Sequence, residues 1–251
     1  MTTVLAALDA DSSAQPVLST AIAIAELLDA TVTALHVREN GLGAAPELAR
    51  AAGVELREVS GSPVQQIALA AQDTDVAALV LGARGLHGGP QPAGHTALEL
   101  ITRVTKPVVV VPPHARATER VARILLPLEG TSESSRALDD TLRLAHRRGL
   151  EIFALHIHSP ATVPAFSDHE PHAALAWERE FLTRHIVTPH DRVTLVRRVG
   201  VPADDVVAVA RETGADLIVL SWSRDLAPGR AHVVSETLAH SPIPVLLLPI
   251  R

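Results

Sequence analysis

Cysteine is absent from this chain, which excludes disulfides, thiolate metal sites and thiol nucleophiles. Aromatic residues are nearly as scarce, with three Phe, two Trp and no Tyr, so Val, Leu, Ile and Ala must fill any interior. Lys106 is the only lysine, and arginine carries nearly all the positive charge, which reads as composition bias. No apolar run approaches the roughly 18–20 residues of a membrane span. The N-terminus shows neither the basic region nor the cleavage site of a signal peptide. An excess of positive charge is also missing: the formal net charge is −6, against a general nucleic-acid binder, which needs clustered basic residues. These absences together lead us to expect a cytoplasmic protein with neither membrane nor nucleic acid as a partner. What is plentiful is apolar. Hydrophobic residues make up 47% of 251 positions, enough for one large domain or two ordinary ones and too many for a disordered chain.

The stretch from Val76 to Val111 gives the local plan. An apolar run, Val76–Leu81, breaks into a loop rich in Gly and Pro, and an amphipathic segment from about Thr96 to Val104 leads to a second apolar run, Val108–Val111. Buried strand, loop, helix and buried strand make a parallel βαβ unit. Gly82, Gly85 and Gly94 sit where the chain leaves the strand and enters the helix. Glycines there either wrap an anion at a helix N-terminus or simply make a tight turn. This stretch alone leaves both open.

Self-similarity settles the organisation. Val4–Val37 aligns without a gap on Ile124–Ile157 at an offset of 120, with Asp9 opposite Glu129 and His36 opposite His156. Gly61-Ser62-Pro63 then meets Gly200-Val201-Pro202, and Val80-Leu81 meets Val219-Leu220, at an offset of 139, so the second copy carries 19 extra residues. Lys106-Pro107-Val108 faces Ile243-Pro244-Val245 near the close of each copy.

The first copy reads as strand Val4–Leu8, helix about Ser13–Leu28, strand Thr31–Val37, strand Glu55–Val59, helix Val64–Gln72 and then the βαβ unit. The second reads Ile124–Leu128, Ser134–Arg148, Glu151–Ile157, Val193–Val199, Asp204–Glu212 and a closing strand Val245–Leu248. Alternating β and α segments with apolar strands give an α/β fold: two tandem five-stranded parallel sheets covered by helices. The expected domains are residues 1–113 and 121–251, joined by Pro112–Arg120, with a His-rich insertion at about 158–192 in the second.

With Asp9 closing strand one and G-x-x-G…G after strand four, the chain resembles the universal stress protein (UspA) family in its tandem form. PLEGTSESSRAL, VPAFSD and AWEREFL in the second copy look like an actinobacterial-like variant. The resemblance implies a Rossmann-like, adenine nucleotide alpha hydrolase-like fold, and for some members ATP binding. Carried onto this sequence, it implies Asp9 and Val37 at the base and ribose, with Gly82, Gly85, Gly94, His95 and Thr96 near the phosphates. Other members lack the motif and bind no ATP. The family's habit of pairing domains through strand five implies an intramolecular pseudo-dimer here and leaves homodimerisation open.

The pattern departs from the family in places. Eight residues separate Gly85 from Gly94, one fewer than the family spacing, and His95 stands where Ser or Thr is usual, with Thr96 next. Ser221, Arg224 and Ala231 replace the three glycines in the second copy, and Glu129 replaces Asp9. If two of those positions need left-handed backbone, each replacement costs roughly 1–2 kcal/mol, or about 30- to 1000-fold in affinity together. The second copy therefore reads as a degenerate site, with ATP expected in the first domain only.

His95 and His232 both open a helix, either as exposed side chains of no special role or as phosphate contacts that bind nucleotide more tightly at pH 6 than at pH 8. His156, His158, His169, His172, His185 and His190, with Asp168 and Glu170, crowd the insertion region, yet no metal-ligand spacing such as H-E-x-x-H appears, and no metal is expected. Trp177 and Phe181, four residues apart, read as anchors for an insertion helix, and the paired His36 and His156 as structural at the sheet edge. No Walker loop, nucleophile elbow or water-activating Asp/His pair is evident. The expectation is a non-catalytic regulatory protein that binds an adenine nucleotide; the alternative is a UspA-fold interaction or scaffold protein that binds none.

Overall fold

The computed structural model describes residues 1–10, 14–38, 43–83, 94–128, 132–158, 171–186, 189, 191–225 and 231–250, with backbone alone for 132–135 and 171–175. The first half runs β1 (Thr3–Leu8), α1 (Ala14–Leu28), β2 (Thr31–Arg38), α2 (Ala45–Ala51), β3 (Glu55–Ser60), α3 (Pro63–Ala71), β4 (Val76–Gly82), α4 (His95–Arg103) and β5 (Val108–Val111). The second runs β6 (Arg123–Pro127), α5 (Ser132–Arg148), β7 (Glu151–His158), α6 (Pro171–His185), β8 (Val193–Val199), α7 (Pro202–Thr213), β9 (Leu217–Trp222), α8 (His232–His240) and β10 (Val245–Pro249).

All ten strands join one sheet in the order β3-β2-β1-β4-β5-β10-β9-β6-β7-β8. Strands pair in parallel within each half, and the halves meet where β5 and β10 run antiparallel, Val108 opposite Leu247 and Val110 opposite Val245. The two copies thus pair through their fifth strands, as the resemblance implied, and the result is one continuous sheet. A run of four valines with both faces buried leaves no edge open at this seam.

Alternation along each strand divides the core between two faces. Val4, Ala6 and Leu8 point to one face and pack with Val17, Ala21 and Ile24 of α1, while Leu5, Leu35 and Leu79 point to the other with Ile67 of α3 and Leu100 of α4. Both clusters run through residues of both halves. Proline opens α3 and α7, where its missing N–H costs nothing. α7 ends at Gly214 in left-handed conformation, φ 62°. Lys106, set aside on composition grounds, donates its ammonium protons to the carbonyls of Val76, 2.6 Å away, and Asp73, fixing the turn into β4. On the α1 side, Arg148 bridges the halves. Its Nε donates to Leu27 O at 2.9 Å and its Nη2 lies 2.5 Å from the Asp29 carboxylate. That hydrogen bond, then the charge, lowers the Asp29 pKa.

The short helix α2 was not read from the sequence. Seven residues, three of them Ala and one a Pro, give too little periodicity. No helix among the described residues is long and apolar enough to cross a membrane.

Candidate functional site

In the first half the strand order turns back on itself between β1 and β4. α1 leaves β1 towards one face and α4 leaves β4 towards the other, so their N-termini diverge and open a crevice at the carboxyl ends of the strands. A cleft of about 370 Å³ lies there, within the range of small-ligand sites. Asp9, Val37, Gly82, Gly94, His95 and Thr96 all line it. Six of the seven residues singled out in the sequence are therefore brought together. The seventh, Gly85, lies outside the described residues.

Each is placed by something identifiable. The Asp9 carboxylate accepts a hydrogen bond from the Ala10 amide at 3.0 Å, and the residue before it is held by His36, whose Nδ1 donates to Leu8 O at 3.0 Å. His36 is 3% exposed, so the bond is protected from water and the strand end is fixed. The second copy repeats the device, with His156 Nδ1 3.3 Å from Leu128 O. These paired histidines are the structural elements the repeat suggested.

Gly82 is held by crowding. A Cβ there would meet Val17 Cγ2 at 3.2 Å, tighter than ordinary contact. The backbone of Gly82 is not left-handed, and Gly94 (φ −59°) caps α4 in an extended conformation with no side-chain cap bond. The first amides of α4 thus keep their donor capacity for a ligand. His95 is 84% exposed in its side chain and lies 3.6 Å from the Glu99 carboxylate. Thr96 is exposed beside it.

The condition of two left-handed positions is not met in the second copy. Only the position of Gly85 has a left-handed counterpart: Arg224, which matches it, adopts φ 61°. That strain costs roughly 1–2 kcal/mol. Ser221, which replaces Gly82, is not left-handed and carries no such cost, and Val17 is matched by the smaller Ala137. The backbone argument against the second site therefore shrinks to about tenfold, and what distinguishes the two clefts is the chemistry of their walls. Glu129 lies outside the described residues.

Gly43 was missed altogether. It has φ +53°, and a Cβ on it would fall 1.9 Å from Ala10 O, while the next amide, Ala44, donates to that same oxygen at 2.7 Å. The segment entering α2 is thus pressed against the residue following Asp9. A glycine two residues after another and just before Ala-Ala-Pro was the only available signal.

In the insertion region, His156 and His158 meet edge-on with ring centroids 4.4 Å apart, and Phe181 of α6 lies 4.6 Å from both His156 and His185. Trp177 stacks on Phe181 at 4.9 Å, with Arg197 above its ring. Trp177 and Phe181 anchor α6 to β7. Burial lowers the pKa of all three histidines. The neighbouring His156 and Arg197 add to this at His158, and Arg184 and His156 at His185. Among the described residues no group of three or more His, Asp or Glu could hold a metal. His169, His190, Asp168 and Glu170 lie outside them, as does the side chain of His172.

A duplicated, doubly wound α/β unit with a cleft at its switch point defines a small-ligand-binding architecture. The sequence model of the universal stress protein family matches residues 43–112 and again 121–249, and the chain belongs to that family. Curated protein sequences give no match. Among solved structures, a universal stress protein from Archaeoglobus fulgidus is similar over 99% of this chain and 96% of its own, with a TM-score of 0.71 and 18% identity. A protein of unknown function from Pseudomonas aeruginosa is similar over 99% and 92%, with a TM-score of 0.68 and 14% identity. At these identities the likeness is one of fold. A universal stress protein from Archaeoglobus fulgidus in complex with dAMP covers 50% of this chain, with a TM-score of 0.36 and 18% identity.

Proposed function

We propose that this protein is a non-catalytic regulatory protein that binds ATP in its first domain, residues 1–113, while the second domain, 121–251, binds no nucleotide. The convergence of Asp9, Val37, Gly82, Gly94, His95 and Thr96 on a single cleft carries this reading. The cleft offers an acceptor at one end for the ribose and base. At the other it offers the uncapped amides at the start of α4, which favour negative charge. In this reading the bound nucleotide acts as a signal and is not turned over. The setting is cytoplasmic.

The test is to denature the purified protein and identify what it releases. One equivalent of adenine nucleotide per chain is expected, and Gly82→Ala with Gly94→Ala should abolish its retention. A protein that releases nothing and takes up no ATP when titrated would instead be a scaffold that keeps the fold without the ligand.

A further inference from the structure

The second half is not closed where its nucleotide motif is degenerate. A cavity of about 520 Å³ opens at the ends of β6, β7 and β9. It matches the first cleft in position: Leu128, Leu155 and Leu220 stand where Leu8, Leu35 and Leu81 stand, and Pro202 stands for Pro63. The walls differ in chemistry. Thr96, at the start of α4, is replaced by Val233 at the start of α8, Gly82 by Ser221 and Ala83 by Trp222. Among the described lining residues there is no carboxylate, lysine or arginine. His156 Nδ1 is committed to Leu128 O, and burial lowers its pKa, so the histidine of this wall favours its neutral form. The first amides of α8 are as uncapped as those of α4, but the side chains that surround them are those of Val233 and Val234.

We propose that this cavity binds an uncharged, largely apolar small molecule with an aromatic ring, the ring held against Trp222. The volume suits such a ligand, and burying its apolar surface supplies the affinity. Trp222 also reaches across the seam. Its indole N–H donates to Ile101 O, 3.1 Å away in the last turn of α4.

The probe is N-phenyl-1-naphthylamine, which is uncharged and has two aromatic groups. Titrated into the full chain, it should bind saturably at one site with energy transfer from tryptophan, and saturating ATP or Gly82→Ala should leave that binding unchanged. Val233→Glu puts a charge into the cavity and should weaken probe binding at least about tenfold, while a carboxylate in the first turn of α8 suits that helix end. Val233→Trp tests the same point by volume. Displacement of the probe by ATP, indifference to both Val233 variants, or no saturable binding overturns the proposal. Nucleotide retained in the first cleft is measured separately, so the two readings fail independently.

Discussion

Gly43→Ala tests the packing of the first cleft from outside its motif. The added methyl would sit 1.9 Å from Ala10 O and 2.6 Å from its carbonyl carbon, both backbone atoms that cannot rotate away. Two costs follow. A left-handed alanine is strained by roughly 1–2 kcal/mol, and separating the segments breaks the Ala44 N–H to Ala10 O bond, about 0.5–1.5 kcal/mol. Together the loss is about 1.5–3.5 kcal/mol, or on the order of 3–14 °C in Tm for a chain of this size. Because the Ala10 amide also donates to the Asp9 carboxylate, ATP affinity should fall by about tenfold or more. Denaturant unfolding and calorimetric ATP titration read the two effects. Gly43→Asn separates the causes: asparagine tolerates left-handed backbone but keeps the colliding Cβ, so it should be nearly as damaging as alanine. Wild-type stability in both variants, or full rescue by asparagine, would refute the clash.

Other outcomes follow from single contacts. Lys106→Met removes the donor to the Val76 and Asp73 carbonyls and should lower stability by about 1–2 kcal/mol in urea unfolding; an unchanged midpoint would show that water replaces the ammonium. His156, His158 and His185 have pKa values lowered in the fold, so the folded state binds fewer protons than the unfolded one. Their effect on stability is neutral above the unfolded value of about 6.5 and unfavourable as pH falls from there through the folded values. The urea midpoint followed by Trp177 emission should therefore drop between pH 7.5 and 5.5, and less so in His158→Phe. In Gly82→Ala, retention of ATP should be partly restored by adding Val17→Ala, since that removes the 3.2 Å contact in the way the second copy does; no difference between single and double variants would show that crowding is not the cause.

The repeat made most of the architecture readable. The burial of both faces of β1 and the apolar face of α1 are written directly into Val4–Leu8 and Val17–Ile24. The pairing of β5 with β10 came from the resemblance and from the unbroken valines at 108–111, which cannot face water. What escaped notice depended on through-space contact. Gly43 is important because of Ala10, far from it in sequence, and Lys106 because two carbonyls some thirty residues earlier face it. Gly82 was read as part of an anion-wrapping loop or a tight turn, and its contact with Val17 could not be seen in the sequence. The openness of the second cavity was equally hidden, because residue replacements show which contacts are lost and not whether the space they bordered collapses.

The most direct measurement of the central claim is native mass spectrometry of the intact chain titrated with ATP. One ATP per chain is expected, lost on replacing Gly82 and Gly94 and unaffected by Val233→Glu. Two equivalents per chain would place a nucleotide in the second half and contradict the division of roles, and none at all would remove nucleotide binding from the account.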